Sequence, residues 1–238
     1  MGINVSANEC RVAHLAQRSR QLHAAIMSRV QAPPDDAPLR HELAYRMILV
    51  VFEQAAGLRQ LTTTGLVTTA ACLMRVQFET LLRAVWLMSA ADDDAPGHLA
   101  ALLKPEGESA ACQLPGISEM LDRMDAVNTA GPPSPMTAAL HDIRSVSWHT
   151  LHSFVHGGIN ERLMYSQLSH TELAPALMMQ GNRVLAVAGQ ALALIMQDDA
   201  LRQDMSKLPS RFADCLPADG ARPESKGIPS GTEETSMR

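Results

Sequence analysis

Apolar residues recur every three to four positions through most of the chain, the period of an amphipathic helix. Val12, Leu15, Leu22, Ile26 and Val30 give a first stripe, predicting a helix over 8–31 that Pro33-Pro34 stops. Asp36 and Pro38 supply the acid and the early proline that suit the start of a second helix, expected to run to about Gln60. Leu61-Thr62-Thr63-Thr64 reads as a short connector, with Thr63 or Thr64 as N-cap of the next helix. That third helix, over 65–91, is apolar nearly all round and carries only Arg75, Glu79 and Arg83 as charged side chains. A helix apolar on every face belongs in the middle of a bundle.

The pattern then changes. Residues 92–134 hold Pro96, Pro105, Pro115, Pro132 and Pro133 with several glycines, and read as an irregular insertion over the core with two short helices near 97–103 and 117–127. Long connections of this kind often carry function. Ser134-Pro135 is a cap followed by a proline at the first helical position. The helix it starts should run to His156 and stop at Gly157-Gly158. Another begins between Ser169 and Pro175 and reaches about Gln197, with Leu177, Val184, Leu185, Ala188, Leu192 and Ile195 as its stripe. A short helical piece ends near Cys215, and from Leu216 onward Pro, Gly, Ser and Glu dominate. The expected organisation is an all-α bundle over 1–215 and a disordered tail over 216–238.

Composition agrees. Hydrophobic residues make up 46% of the 238 and aromatics 3%, so Leu, Ala, Met and Val, the first three strong helix formers, must fill the core. A net charge of −5 argues against general binding to polyanions, which works by neutralising phosphates, but leaves room for a small basic site. Cys10, Cys72, Cys112 and Cys215 form no C-x-x-C pair and read as reduced thiols. The first thirty residues carry Glu9, Arg11, Arg18, Arg20 and Arg29 and no continuous apolar block, so no secretory signal is visible. The stretches Met47–Phe52 and Val184–Met196 are too short to span a bilayer. A cytoplasmic protein without a membrane partner is expected.

Two groups of residues could carry chemistry. Arg75, Glu79 and Arg83 stand at i, i+4 and i+8, along one side of their helix. Charges confined to one seam of an apolar helix meet something polar, either a site or a structural ion-pair network. The later helix carries His141, Arg144, His149, His152 and His156. His149, His152 and His156 share a face, and clustered imidazoles suit acid–base work or metal binding. Against that, a histidine at a helix C-terminus is also favoured simply by the macrodipole. Arg144 and His149 fit a template in which the histidine deprotonates a ribose 2′-hydroxyl and the arginine stabilises the phosphorane. A metal template would use the three histidines with Glu79, but H-x2-H-x3-H is no strong signature. No Gly-rich phosphate loop, G-x-S-x-G or H-E-x-x-H is present. No cofactor and no metal are therefore implied.

The stretch Leu73-Met-Arg-Val-Gln-Phe-Glu-Thr-Leu-Leu-Arg-Ala-Val-Trp-Leu87 resembles the R-x-x-x-E, then W-L, helix of uncharacterised bacterial all-helical proteins. Trp148-His-Thr-Leu-His-Ser-Phe-Val-His-Gly-Gly158 resembles their later helix, ending in V-H-G-G. These are families of unknown function, and their helical arrangement is similar to the HEPN superfamily, which includes ribonuclease toxins and non-catalytic nucleotide- or RNA-associated modules. The resemblance covers about residues 40–200 and places Arg75, Glu79, Trp86, His156 and Gly157 at motif positions. The catalytic HEPN pattern, R-x(4–6)-H, matches only Arg144 and His149. That match departs from the family in two ways: Ser145 stands where Asn or Asp is favoured, and the histidine lies before the V-H-G-G end.

The resemblance implies a HEPN-like bundle. It leaves two readings: an accessory or defence protein with metal-independent ribonuclease-like activity, or a non-catalytic dimerising scaffold in which the Arg/Glu/His seam is structural. The expected site is Arg75, Glu79 and His156, with Arg144 and His149 as the weaker set. A homodimer is the expected assembly, and RNA or a nucleotide the candidate ligand.

Overall fold

A computed structural model describes residues 3–102, 114–127, 134–155 and 170–218, with side chains throughout except at 3–8, 102, 146–150, 152–154 and 170–171. Every described element is helical, with no strand among the described residues. In chain order these are α1 (Ile3–Met27), α2 (Leu39–Thr63), α3 (Val67–Ser89), α4 (Ala95–Leu102), α5 (Ile117–Val127), α6 (Pro135–Val155), α7 (His170–Met196), α8 (Asp199–Ser206), the single turn α9 (Leu208–Arg211) and a 3₁₀ turn at Ala213–Cys215.

Helices α2 and α3 form an antiparallel hairpin, packed along its length. The chain turns through Gly65, whose φ of 80° lies in the left-handed region that glycine enters without strain. The expected connector at 61–64 is instead the last turn of α2. Thr62, Thr63 and Thr64 each turn their hydroxyl back onto carbonyls three and four residues earlier, from Leu58 to Leu61. These bonds occupy carbonyls near the helix end, so threonines that look like a cap serve as a terminus. The residue at the N-cap of α3 is Leu66, with no side-chain cap.

The other ends follow the sequence signals closely. Ser134 caps α6 through a 3.1 Å bond from the Thr137 amide, ahead of Pro135. Arg40 donates to the carbonyls of Ala91 and Asp92 just past the end of α3. Asp198 caps α8 by accepting from the Leu201 amide at 3.0 Å. Helix α7 closes with Gln197 at φ 52°, where the Asp198 amide reaches back to Ala193 O. The expected helix over 8–31 begins earlier and ends sooner, at Ile3–Met27.

The core lies around α3 and α7, as their all-round apolarity requires. Helix α3 packs against α2, α5, α6 and α7, and α7 against α1, α2, α3, α6 and α8. One buried cluster runs from Leu15 and Ile26 on α1, through Phe78 and Trp86 on α3, to Phe212 and Leu216 at the end. A smaller one joins Leu58 on α2, Val67 to Met74 on α3, Leu151 on α6 and Ala174 and Leu177 on α7. The irregular stretch places Leu99, Met120, Leu121 and Met124 in the core.

The end of the chain is tied down further than expected. Leu216, assigned above to the tail, is 9% exposed in the main cluster, and buried Asn182 donates to Cys215 O at 2.9 Å. Arg18 on α1 holds Asp214 through two bonds of 2.5 and 2.8 Å, donates to Arg211 O at 3.1 Å and stacks over Phe212. Residues 219–238, the rest of the expected tail, lie outside the described residues. Among the described residues no helix is long and apolar enough to cross a membrane.

Candidate functional site: the charged seam of α3

Helix α3 lines up Arg75, Glu79 and Arg83 one turn apart, and the three carry charges that meet. Arg75 Nε donates to Glu79 Oε1 at 2.8 Å, and Arg83 Nη1 stands 3.9 Å from Glu79 Oε2. Arg75 is the most covered, its side chain 11% exposed against 21% for Glu79 and 36% for Arg83. One carboxylate thus stands between two guanidinium groups on its own helix. In the same part of α3, Gln77 is fully buried and donates to Val51 O at 3.3 Å, while its Oε1 has no partner among the described residues. The buried indole Nε1 of Trp86 also has no acceptor there.

The polar residues of α6 are engaged at the surface. Arg144 Nη2 donates to Ser118 Oγ on α5 at 2.8 Å. His141 Nε2 bonds the Asp125 carboxylate on α5 at 3.0 Å, and Asp142 accepts from Arg183 on α7 at 2.9 Å. These bonds tie α5, α6 and α7 together along one side. Positions 144 and 149 lie in one unbroken helix, about 140° apart around its axis at 100° per residue. The side chains of His149 and His152 are not among those described, and His156 and Gly157 lie outside the described residues. Leu151 does share a buried cluster with Ala71 and Met74, so the later part of α6 and the Arg75 region of α3 contribute to one core.

Residues 48–218, well over half of the chain, match the model of a family of unknown function (DUF6988). The chain belongs to this family. The match runs from the middle of α2 to the 3₁₀ turn, and so contains the R-x-x-x-E seam, Trp86 and the whole of α6. It gives what the two motifs implied, a helical family of unknown function. No curated protein and no solved structure matches the chain.

In this DUF6988 chain two clusters escape a reading by spacing. Arg18 meets Asp214 across 196 residues, and Arg59 meets Ser19 and His23 across 40 and 36. The second is purely basic and polar. Arg59 Nη1 reaches Ser19 Oγ at 3.3 Å and Nη2 approaches His23 Nδ1 at 3.4 Å. Burial, with Arg20 nearby, holds the Arg59 guanidinium below its usual pKa, and burial beside Arg59 pushes His23 down. The thiol of Cys215 is pushed up to about 11, mainly by burial, which makes it an inert core residue. Among the described residues no group of three or more His, Cys, Asp or Glu is arranged to hold a metal.

Proposed function

We propose that this protein is a HEPN-like bacterial accessory module that works by pairing with a second copy of itself and does not cut RNA. The observation that carries this reading is the placement of Glu79 between two arginines. Its two oxygens face Arg75 and Arg83 on the same helix, a geometry suited to holding the seam together and poor for proton transfer. The pairing surface is the outer side of the α2–α3 hairpin, where Val50 and Val76 are 44% and 46% exposed and Gln54 approaches Thr80 at 3.5 Å. Exposed Glu53 flanks Val50 and Arg83 flanks Thr80, and among the described residues Glu53 has no ion pair and Arg83 only its long one to Glu79. Opposite charges on either side of an apolar strip suit a self-complementary twofold face. Sedimentation at micromolar concentration should give a dimer that Val76→Glu converts to monomer; a wild-type monomer would refute the pairing.

One observation favours the ribonuclease reading. The Arg144 guanidinium has a hydroxyl partner in Ser118 and no carboxylate among the described residues, and it shares α6 with His149. Single-stranded RNA incubated with the protein in a chelator separates the two readings. Cleavage leaving a cyclic phosphate end, lost on His149→Ala or His156→Ala, would establish metal-independent catalysis. We expect no cleavage.

A further inference from the structure

The outer face of the α2–α3 hairpin carries an order that neither helix shows alone. Gly57 on α2 lies against Leu73 on α3, where an added Cβ would stand 3.1 Å from Leu73 Cδ2. Equal steps along the two antiparallel helices from that contact bring Gln54 level with Val76 and Val50 level with Thr80. Gln54 Nε2 reaches across to Thr80 Oγ1 at 3.5 Å, and the Thr80 hydroxyl donates to Val76 O at 2.8 Å. Buried Gln77 donates to Val51 O and fixes the inner side of the same stretch. At about 100° per residue, Val50 and then Glu53 lie progressively farther from α3 than Gln54 does. Val76 and then Arg83 likewise lie farther from α2 than Thr80 does. Exposure agrees, with Gln54 and Thr80 half-buried between exposed Val50 and Val76. The order across the face is therefore Glu53, Val50, Gln54, Thr80, Val76, Arg83.

That order is its own complement: acid, valine, polar, polar, valine, base. A twofold axis through the Gln54–Thr80 contact lays Val50 on the partner's Val76, Gln54 on the partner's Thr80 and Glu53 beside the partner's Arg83. Heights along the helices match as well. A helical side chain leans toward the N-terminus of its helix, so Arg83 reaches back toward Glu79 and Thr80, the level at which the partner's Glu53 then stands. Both members are open to such a pair. Glu53 is exposed and has no ion pair among the described residues. Arg83 stands 3.9 Å from a carboxylate that Arg75 already holds at 2.8 Å. Taking the self-pairing proposed for the protein as given, we infer that Glu53 and the partner's Arg83, meeting twice across the twofold, select the partner surface, with Arg83 exchanging its long contact to Glu79 for the partner's carboxylate. Charge pairs at the rim of a contact set partner choice and register more than they add affinity.

The test is charge reversal followed by sedimentation equilibrium. Glu53→Arg and Arg83→Glu each set like charges against one another twice per dimer, so either alone should raise the dimer Kd about tenfold or more. Mixed one to one, the two variants should recover wild-type affinity as a heterodimer, because each then meets the opposite charge on the other. A variant that merely misfolds gains nothing from mixing. A wild-type monomer would refute the self-pairing and this pair with it. A wild-type dimer that Val76→Glu breaks but neither reversal weakens overturns the pair and leaves the valine contact standing. Variants that are weakened and stay monomeric when mixed overturn it too. If either reversal does not fold, salt replaces it: the wild-type dimer should weaken as chloride rises from about 0.05 to about 0.5 M, which screens exposed charges, and the Glu53→Gln dimer should respond less. Equal salt dependence in the two proteins overturns the pair.

Discussion

Gly181 sits in the middle of α7, where a glycine should be a liability. Replacing a mid-helix glycine by alanine ordinarily adds about 1 kcal/mol of stability. Here a Cβ would overlap Leu58 Cδ2 on α2, with Leu58 Cγ at 3.5 Å and Gln77 Oε1 at 3.6 Å. Leu58 has little room to withdraw, being 2% exposed and packed in the smaller cluster with Val67, Ala70, Met74 and Leu177. Overpacking a well-filled core costs about 1–3 kcal/mol, and so direct an overlap belongs at the upper end of that range. The net expectation for Gly181→Ala is a loss of about 1–2 kcal/mol, or a few degrees in Tm, at roughly 2–4 °C per kcal/mol for a chain of this size. The decisive measurement is a double-mutant cycle. Leu58→Ala alone should cost about 2–5 kcal/mol. In that background the obstructing methyl is gone, so Gly181→Ala should recover its helix propensity and stabilise. A change of sign between the two backgrounds, read by urea unfolding, is the expected result. Gly181→Ala stabilising the wild-type protein would show that Leu58 repacks freely and that α7 and α2 are not held apart by this contact.

Gln197→Gly should stabilise by about 1 kcal/mol, because Gln197 holds a left-handed conformation at the end of α7 that costs a side-chain-bearing residue about that much; calorimetry checks it, and an unchanged midpoint would mean the turn relaxes. Glu79→Ala should cost about 3 kcal/mol by removing a carboxylate that pairs with the well-covered Arg75, whereas the double change Arg75→Leu with Glu79→Leu should be much milder; equal losses in chemical denaturation would refute the structural role of the pair. The Arg18 guanidinium holds the Asp214 carboxyl below its usual range, so this pair contributes stability above the ordinary carboxylate pKa and loses it as pH falls through the depressed one. Asp214→Asn should therefore lower Tm at neutral pH and flatten its acid-side decline, and a parallel decline would exclude the clamp. Removing residues 217–238 should leave Tm nearly unchanged, while cutting one residue further and losing the packed Leu216 should lower it.

Much of the helical order was legible because it is written locally. The stripe of α7, the Ser134-Pro135 start of α6 and the i, i+4 pairing of Arg75 with Glu79 depend on residues a few positions apart, and the structure places them as the periodicity requires. Thr62 to Thr64 look like a connector in sequence because a threonine hydroxyl can cap the helix that follows or back-bond the helix it ends, and composition does not distinguish the two. Leu216 looks like tail in sequence because the residues after it are polar, whereas its burial comes from a cluster built of helices far away in sequence. The Arg59–Ser19–His23 cluster was invisible for the same reason. Its members share no spacing and come together only when α1 crosses α2.

Helix α1 is where the matched segment and the packed structure part company. The family match begins at residue 48, yet Leu15, Ala16, Leu22 and Ile26 are buried in the main cluster. The closeness of this packing shows at Gly189 on α7, where an added Cβ would stand 3.0 Å from Met205 Sδ on α8 and 3.4 Å from Ile26 Cδ1 on α1. Helices α1, α7 and α8 therefore meet at one glycine, and Arg18 closes the far side by holding Asp214. Without α1 the side of α7 around Gly189 would lose the apolar cover that Ile26 provides. The same helix supplies Ser19, Arg20 and His23, while Arg59 comes from the matched segment. Take α1 away and Arg59 loses both Ser19 and His23.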